Sequence, residues 1–356
     1  CCFQRKILGR KKTKQRRTLG EPRLFALFVV VSLWGDQGVT FFWDVRPKVD
    51  AANYTVENAV ESTVTKCPGS VDGQQFVIRN CHNASLYILD YLNSVTIDDC
   101  TNCTIVLGPT QGSVFLRNCN DVRLASACQQ LRARDCSGID SWLCCPTQPS
   151  IESCSEMRFG CLTLAYKEFP EQLKKARLSP FNNRWSEVYD FTPTTPDPNW
   201  NLLPPEAMPQ TLVESCPMPL SLDVQRSNVP LTLGPSCKRD TERCLVVFFW
   251  EDNLQDNSMA FVRGMREAQA DLVQTVETSF EDGTARSLFH NGPHAKAVQK
   301  GPAVALEYTG VDCQQVCEKV AATLGAPGSH YISSQGQEAT KQQIEATFNT
   351  SQYSFS

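Results

Sequence analysis

Several features that are common in enzymes and membrane proteins are missing from this sequence. Only four of its 356 residues are histidine, which leaves few ligands for a zinc site. No Gly-x-x-x-x-Gly-Lys-Ser/Thr stretch is present, so the chain has no phosphate-cradling loop of that kind. The apolar run LFALFVVVSLW at 24–34 has 11 residues, whereas a membrane-spanning helix needs about 20. The sequence therefore argues against a P-loop enzyme and against a spanning helix in this run.

Positive charge is concentrated at the start of the chain. The whole sequence has a net charge of −4, but residues 1–23 contain nine basic side chains and one acidic one, a net charge of +8. We expect this arm to bind an anionic membrane surface rather than nucleic acid, and a solvated tail is the alternative. The arm and the apolar run also resemble a signal peptide, although no clear cleavage site follows. Residues 1–41 are predicted to lie outside the folded domains.

The 18 cysteines follow a repeat. Five of them are 19, 19, 17 and 18 residues apart, with short alternating strand patterns between them, such as LYILD at 86–90. A regular rise with short strands in every turn is typical of a parallel β-helix. We therefore predict a right-handed parallel β-helix over residues 42–192, with these cysteines stacked at one corner as small apolar fillers. They are Cys81, Cys100, Cys119, Cys136 and Cys154.

Two other uses of the cysteines compete with packing. A secreted β-helix with a disulfide framework stays open as an alternative, and the chain has four Asn-x-Ser/Thr sequons. Reduced, packing cysteines are favoured because a ladder of five is better explained by shape. Cys100-x-x-Cys103 and Cys144-Cys145 hint at zinc, but His82 is the only nearby histidine, so no metal site is predicted.

The second half of the chain has a different pattern. Residues 193–240 are rich in proline, which indicates a linker or an extended segment packed on a surface. Residues 241–350 alternate apolar strand patterns with helical ones, which predicts a ferredoxin-like α/β domain. His290 and His294 in FHNGPH are interpreted as part of a polar loop rather than as phosphoryl acceptors. The strands are expected at 244–250, 271–277, 302–308 and 330–334, and the helices at 255–268, 312–325 and 336–348.

The stretch ACQQLRARDC at 127–136 raises a functional question. Strand side chains alternate between faces, so Leu131 and Ala133 can face a core while Gln130, Arg132 and Arg134 stand together on the other face. Solubility alone would explain two outward arginines. The alternative is a preorganised cation for a phosphate, since arginine is planar, always charged and able to bind phosphate oxygens with two parallel bonds. Without a nucleotide loop of its own, the chain would supply that arginine in trans.

Several longer motifs resemble those of the tubulin-binding cofactor C domain family. They include CQQLRARDC, GQQFVIRNC, VTIDDCTNC, LCCPTQPSIES and FNNRWSEVYDFTP, and the resemblance extends more loosely through CLVVFF, LVQT and KGPAVALE. It implies a β-helix domain followed by a ferredoxin-like domain of the nucleoside-diphosphate-kinase type. That family's His-Gly-Ser-Asp active-site stretch is absent, so kinase activity is not expected.

The resemblance implies a GTPase-activating protein for an Arf-like small GTPase in its GTP form. The partner would carry the GTP and magnesium, so no cofactor is expected on this chain. Arg132 matches the arginine finger and Gln129 its partnering glutamine. The alternative is an effector or scaffold that binds the GTPase without accelerating hydrolysis. The residues expected to contact the GTPase are Gln130, Arg134, Glu152 and Phe181.

The resemblance also implies a place in the cell. A role in ciliary and membrane protein trafficking is expected, at the cytoplasmic face of the plasma membrane or the ciliary base, with the soluble cytoplasm as the alternative. Family members begin with an acylated Met-Gly-Cys, which makes Cys1 the expected lipidation site. This chain begins CCFQRK. With Met-Gly before Cys1, Gln4 would stand at the position where the myristoylation pattern prefers Ser or Thr. Residues 20–41 match nothing in the family.

Overall fold

A computed structural model describes residues 50–205, 208–236, 241–289, 292–323 and 330–350. Its first part is a parallel β-helix, as predicted. The strands are β1 (Thr55–Glu57), β2 (Thr63–Lys66), β3 (Phe76–Arg79), β4 (Ser85–Ile88), β5 (Val95–Asp98), β6 (Thr104–Leu107), β7 (Thr110–Arg117), β8 (Arg123–Arg134), β9 (Asp140–Cys144), β10 (Ser150–Glu152), β11 (Met157–Cys161), β12 (Tyr189–Asp190) and β13 (Trp200–Leu202).

These strands form two parallel sides of the β-helix. The side that we call the front sheet has the order β1-β3-β5-β7-β8-β10-β12, and the back sheet has the order β2-β4-β6-β8-β9-β11-β13. The long strand β8 belongs to both, because its first half pairs with β6 and β9 and its second half with β7 and β10. The turn between the two halves sets the position of the residues that follow it.

The cysteine ladder lies inside the β-helix at one corner. Each of its five members is at most 5% exposed and follows a residue with φ between 52° and 54°. Asparagine and aspartate tolerate this left-handed conformation, which explains the recurring Asn-Cys and Asp-Cys pairs. Hydrogen bonding with Cys103, Cys119 and Cys81 raises the pKa of the Cys100 thiol. All five ladder cysteines belong to the hydrophobic core of the β-helix, as the packing interpretation predicts, and the 15 described cysteines are unlinked.

The outward face of the back sheet is covered. Its side chains, among them Tyr87, Val106 and Ala127, pack under helix α1 (Phe169–Lys175) and under apolar residues of the Pro-rich segment. The Tyr87 hydroxyl donates a hydrogen bond to the carbonyl of Leu212 at 3.2 Å. Of the two interpretations of the Pro-rich segment, a linker or an extended segment packed on a surface, its described part follows the second, because apolar side chains such as Leu212 and Val229 bury this face.

The C-terminal part is ferredoxin-like, as predicted. Its antiparallel sheet has the order β15-β16-β14-β17, covered by helices. The elements are β14 (Glu242–Phe248), α2 (Leu254–Glu267), β15 (Asp271–Thr278), α3 (Asp282–Phe289), α4 (Pro293–Ala297), β16 (Ala303–Gly310), α5 (Cys313–Thr323), β17 (His330–Ile332) and α6 (Gln337–Thr350).

The polar loop predicted around FHNGPH is wrong in part. Residues 293–297 form the short helix α4. The His294 ring stacks on Phe249 with 5.5 Å between centroids and also contacts Phe289 and Tyr331. Aromatic packing that no local pattern reveals thus holds this turn in place, and His290 lies outside the described residues.

The two domains are joined through the loop at 178–183, which docks on the edge strand β15. The Thr275 hydroxyl donates to the Phe181 carbonyl at 2.6 Å. The Asn182 side chain donates to the Glu277 carbonyl at 3.1 Å and accepts from the Glu277 N–H at 2.7 Å. Phe181 itself is fully buried in the core of the C-terminal domain. Directional bonds and a buried aromatic ring therefore fix this junction.

Candidate functional site

The second half of β8 carries the residues that the sequence singled out. Leu131 is fully buried and Ala133 is 3% exposed, while Arg132 and Arg134 are exposed and Gln130 is half-buried. The predicted alternation is confirmed. Strand β8 is paired on both sides here, by β7 and by β10, so the ladders fix the backbone from which the arginines project.

Arg132 has uncharged neighbours on the front sheet. In register with it are Phe115 on β7 and Ser150 on β10, both half-buried. Within the described part of the chain, Arg132 makes no ion pair and no side-chain hydrogen bond. Its guanidinium group therefore projects from a rigid strand with its hydrogen-bonding capacity unused.

The neighbouring outward row, two residues further along each strand, is charged and largely paired. Arg117 binds Asp98 with two parallel bonds of 2.8 and 2.7 Å, and hydrogen bonding to Asp98 raises the pKa of Arg117. Arg134 lies 3.2 Å from Asp135, with Glu152 opposite it on β10. Arg132 thus differs from the arginines beside it, because their charges are met by carboxylates of the same chain. The row consists of Glu57, Arg79, Asp98, Arg117, Arg134 and Glu152.

The two glutamines occupy different places. Gln129 is half-buried at the corner where β8 passes from the back sheet to the front sheet. Its carbonyl accepts a hydrogen bond from the Thr147 hydroxyl at 2.8 Å, which ties the corner to the next coil. The Gln130 side chain accepts from Ser113 at 3.3 Å, on the same face as Arg132. The structure therefore brings Gln130, Arg132 and Arg134 together and places Gln129 at the edge of the group.

Phe181 does not belong to this surface. Its side chain is fully buried against the sheet and helices of the C-terminal domain, away from the other residues that were predicted to contact a partner. Its role is in the junction between the domains. A short aromatic motif in a polar loop does not reveal whether the ring faces solvent or a second domain.

An exposed aromatic pair was missed instead. Tyr189 and Phe191 are 52% and 62% exposed, and their rings meet edge to face with 4.7 Å between centroids. Tyr189 is in register with Ser150, and the Phe191 N–H donates to the Ile151 carbonyl at 2.9 Å, so both flank β10 on the front side. The alternation Tyr-Asp-Phe in VYDFTP was the available signal, since residues two apart share a face.

Three predictions concern features outside this surface. Among the residues the structure describes, no group of three His, Cys, Asp or Glu side chains is placed to hold a metal ion. No described helix is both long enough and apolar enough to cross a bilayer. Cys1 and the basic arm at 1–23 lie outside the described residues.

Comparison with known proteins defines the class first. Residues 73–191 match the family profile of Tubulin binding cofactor C, a range that contains the front-sheet strands from β3 to β12. A solved structure of Tubulin Binding Cofactor C from Leishmania major covers 40% of this chain and 87% of its own, at 23% identity and a TM-score of 0.29.

Longer relatives define the family more closely. Protein XRP2 of Xenopus laevis is 39% identical over 326 residues, which span 88% of this chain and 91% of that protein. Protein XRP2 of Homo sapiens is 40% identical over 320 residues, spanning 87% of this chain and 90% of that protein. The chain belongs to the XRP2 family of proteins with a tubulin-binding cofactor C domain.

Proposed function

We propose that this protein activates the GTPase activity of an Arf-like small GTPase, which it binds in the GTP form. The observation that carries the proposal is the exposed, unpaired guanidinium group of Arg132 on a strand paired on both sides. The neighbouring row of outward charges on the front sheet is largely paired with carboxylates. An arginine that served only solubility would not need to lack such a partner. Membership of the XRP2 family supports the same assignment.

The chemistry needs a cation delivered from outside the GTPase. Negative charge spreads over the phosphate oxygens in the transition state of GTP hydrolysis, and an arginine supplied in trans accelerates the reaction by about 10³–10⁵. Strand pairing on both sides fixes the backbone from which Arg132 reaches, so only the side chain has to be ordered in the partner's site. We assign Gln129 the accompanying role of orienting the catalytic groups of the GTPase.

The surrounding residues form the contact surface in this proposal. Gln130, Arg134 and Glu152 offer polar contacts around the finger, and Tyr189 and Phe191 offer an apolar anchor beside them. Aromatic residues are enriched among the side chains that contribute most to binding at interfaces. Burying an exposed aromatic pair against a partner is favourable, because it removes apolar surface from water. Phe181 is not part of this surface, so we expect its substitution to act through stability.

Single-turnover GTP hydrolysis at saturating protein tests the proposal. We expect Arg132→Ala to reduce the stimulated rate by at least about 10³ while the affinity for the GTP-bound partner stays close to the native value. Arg132→Lys should fail as well, because an ammonium group lacks the planar fork. Arg79→Ala is the matched control, since Arg79 is an outward arginine of the same sheet that pairs with Glu57 at 2.8 Å.

The same experiment separates activation from simple binding. If Arg132→Ala stimulates hydrolysis as well as the native protein does, the effector or scaffold alternative replaces activation. Glu152→Gly should weaken binding itself, because a carboxylate at the contact surface is removed. An affinity titration beside the rate measurement distinguishes these two effects.

We further propose that the basic arm at 1–23, with a lipid on Cys1, holds the protein at the cytoplasmic face of the plasma membrane, where it serves the trafficking of membrane and ciliary proteins. The charge of +8 supports the membrane partner, since each basic side chain near an anionic surface contributes about 1 kcal/mol. Unacylated protein should sediment with phosphatidylserine vesicles at low salt and be released at about 1 M salt, where the Debye length is about 3 Å. Binding that survives this salt would contradict an electrostatic arm.

A further inference from the structure

We infer that the cleft between the β-helix and the C-terminal domain is a binding site for a small phosphate ester. The cleft has a volume of about 770 Å³ and lies between α1, the docking loop at 178–182, α2 and the end of β15. Small-molecule sites of about 300–1,000 Å³ occur preferentially at domain interfaces. The junction described above fixes its walls, so the cavity is preformed rather than dependent on a rigid-body movement.

Two arginines in the cleft have no carboxylate partner. Arg177 is exposed and, within the described part of the chain, makes no ion pair or side-chain hydrogen bond. Among the residues that the structure describes, Arg263 reaches only the Ser227 carbonyl, at 3.5 Å. A third lining cation, Lys174, pairs with Glu171 at 2.8 Å. Two unpaired guanidinium groups on one cavity favour a dianionic phosphate, whose oxygens match their planar forks.

Three basic side chains and two carboxylates line the cleft, so its net charge stays positive. Glu277 accepts hydrogen bonds from Ser179 at 2.5 Å and from Gln255 at 2.7 Å through the same oxygen, so it is engaged in the junction. Asp256 is exposed at the rim, where its charge contributes to raising the pKa of Lys174 after the hydrogen bond and charge of Glu171. The cationic side of the cleft is therefore the side of Arg177 and Arg263.

The backbone places Arg177 at the end of helix α1. Its φ is 57°, directly after the end of α1, where Leu178 N–H donates to the Leu173 carbonyl at 3.0 Å. Helices commonly end with glycine at this left-handed position, because other side chains are strained there. A substitution at this position must therefore tolerate a positive φ.

The rest of the lining specifies what the phosphate is attached to. The polar lining beside the arginines includes Asn228, which is half-buried, and Ser279, which is exposed. Amide and hydroxyl groups both donate and accept hydrogen bonds, so they suit a ligand that carries hydroxyl groups. Leu173 and Met259 supply apolar wall. The ligand class is therefore a phosphorylated polyol or sugar, either free in solution or as the headgroup of an inositol lipid.

The cleft is separate from the surface of Arg132. Helix α1 covers the back sheet, whereas Arg132 projects from the front sheet. Substitutions in the cleft should therefore leave stimulated GTP hydrolysis unchanged, and this inference does not depend on the proposed function.

Isothermal titration of the full chain tests the site with three soluble probes: inorganic phosphate, glucose 6-phosphate and inositol 1,4,5-trisphosphate. The lipid arm, called vesicle binding below, is the excess binding to vesicles with phosphatidylinositol 4,5-bisphosphate over phosphatidylserine vesicles of equal charge, because the basic arm at 1–23 is expected to bind both. The variants are Arg177→Asn, which tolerates a positive φ, Arg263→Gln and the double variant. Arg286→Gln on α3 is the control, an exposed arginine that does not line the cleft. Thermal unfolding verifies that each variant is folded.

We expect at least one ester to bind more tightly than inorganic phosphate, with each cleft variant weakening it by at least about tenfold and the control unchanged. Vesicle binding that is lost in the double variant also supports the site and identifies a lipid headgroup as the ligand. The inference is overturned if no soluble ester binds and vesicle binding survives in the double variant, if no probe binds at all, or if the double variant binds an ester with native affinity.

Discussion

The front and back sheets of the β-helix share one backbone repeat but differ in what their outward faces require. On the back sheet, outward side chains such as Tyr87, Val106 and Ala127 are at most 1% exposed, because α1 and the Pro-rich segment cover them. On the front sheet, Arg117 and Arg134 have side chains that are 56% and 64% exposed. Both sheets are built from paired parallel strands, but only the outward face of the front sheet is open to solvent.

This difference explains where the candidate site lies. An apolar outward face must be buried against other elements, since exposing a contiguous apolar patch in water is unfavourable. A charged face gains nothing from being covered and stays open to a partner. The Pro-rich segment therefore has a functional consequence, because it occupies the back sheet and leaves the front sheet with Arg132 as the accessible surface.

The largest effect should come from placing a charge on the covered face. Ala127→Arg inserts a guanidinium group under the Pro-rich segment, where it has no partner, and should lower the free energy of unfolding by about 3–5 kcal/mol. Arg132→Ala on the bare face should change it by less than about 0.5 kcal/mol. Urea unfolding measures both. Similar stability of the two variants would show that the two faces are not different in the way described.

A smaller loss of stability is expected for a substitution inside the β-helix. Cys100 is fully buried at the ladder corner, and Cys100→Tyr overfills that corner at a cost of at least about 1–3 kcal/mol. Cys100→Ala removes one atom and should be much milder. Thermal unfolding of both variants measures the difference. Equal losses would point to a bond or ligand on the sulfur rather than to shape.

The third prediction concerns the buried ion pair of Glu307 with Arg243, for comparison with the exposed pair of Asp98 with Arg117. Burial raises the pKa of Glu307, whose side chain is 1% exposed and lies 2.9 Å from Arg243. The folded state therefore holds this proton more tightly than the unfolded state does. The contribution of Glu307 to the free energy of unfolding should fall as pH rises from the ordinary carboxyl value of 4.5 through the higher folded pKa.

Urea unfolding over a pH series reveals this effect as the difference between the native protein and Glu307→Gln. That difference should decrease with rising pH, because the variant carries no titrating group at this position. A difference that increases with pH would mean that the charge of Arg243 outweighs burial and that folding lowers the pKa of Glu307 instead of raising it.

The smallest effect on stability is expected for the exposed ion pair of Asp98 with Arg117. Asp98→Asn removes the carboxylate charge and one of the two acceptors for Arg117, whose side chain is more than half exposed. Exposed pairs of this kind contribute about 0.2–1 kcal/mol, and the loss should shrink further in high salt. Chemical unfolding at two salt concentrations measures it. A loss above this range would mean that the row of charges on the front sheet supports the fold.

The repeat was readable from the sequence because each coil is specified locally. The residues before the ladder cysteines tolerate a positive φ, the strands alternate inward and outward side chains, and both signals recur in nearly every turn. The outward arginines of β8 follow from the same alternation. For the ferredoxin-like domain, the strand and helix patterns at 244–277 and 302–348 were long enough to give its order.

The tertiary structure decided everything that depends on which surface meets another. Phe181 and Phe191 both stand in short aromatic motifs, yet one is fully buried in a domain junction and the other is 62% exposed beside Glu152. Likewise, α4 is held by contacts of His294 with distant aromatic rings. The alternation of a strand gives the direction of a side chain, but burial depends on which distant segment covers that face. The sequence therefore determined that Arg132 points outward, and the packing of α1 and the Pro-rich segment on the opposite sheet decided that it stays uncovered.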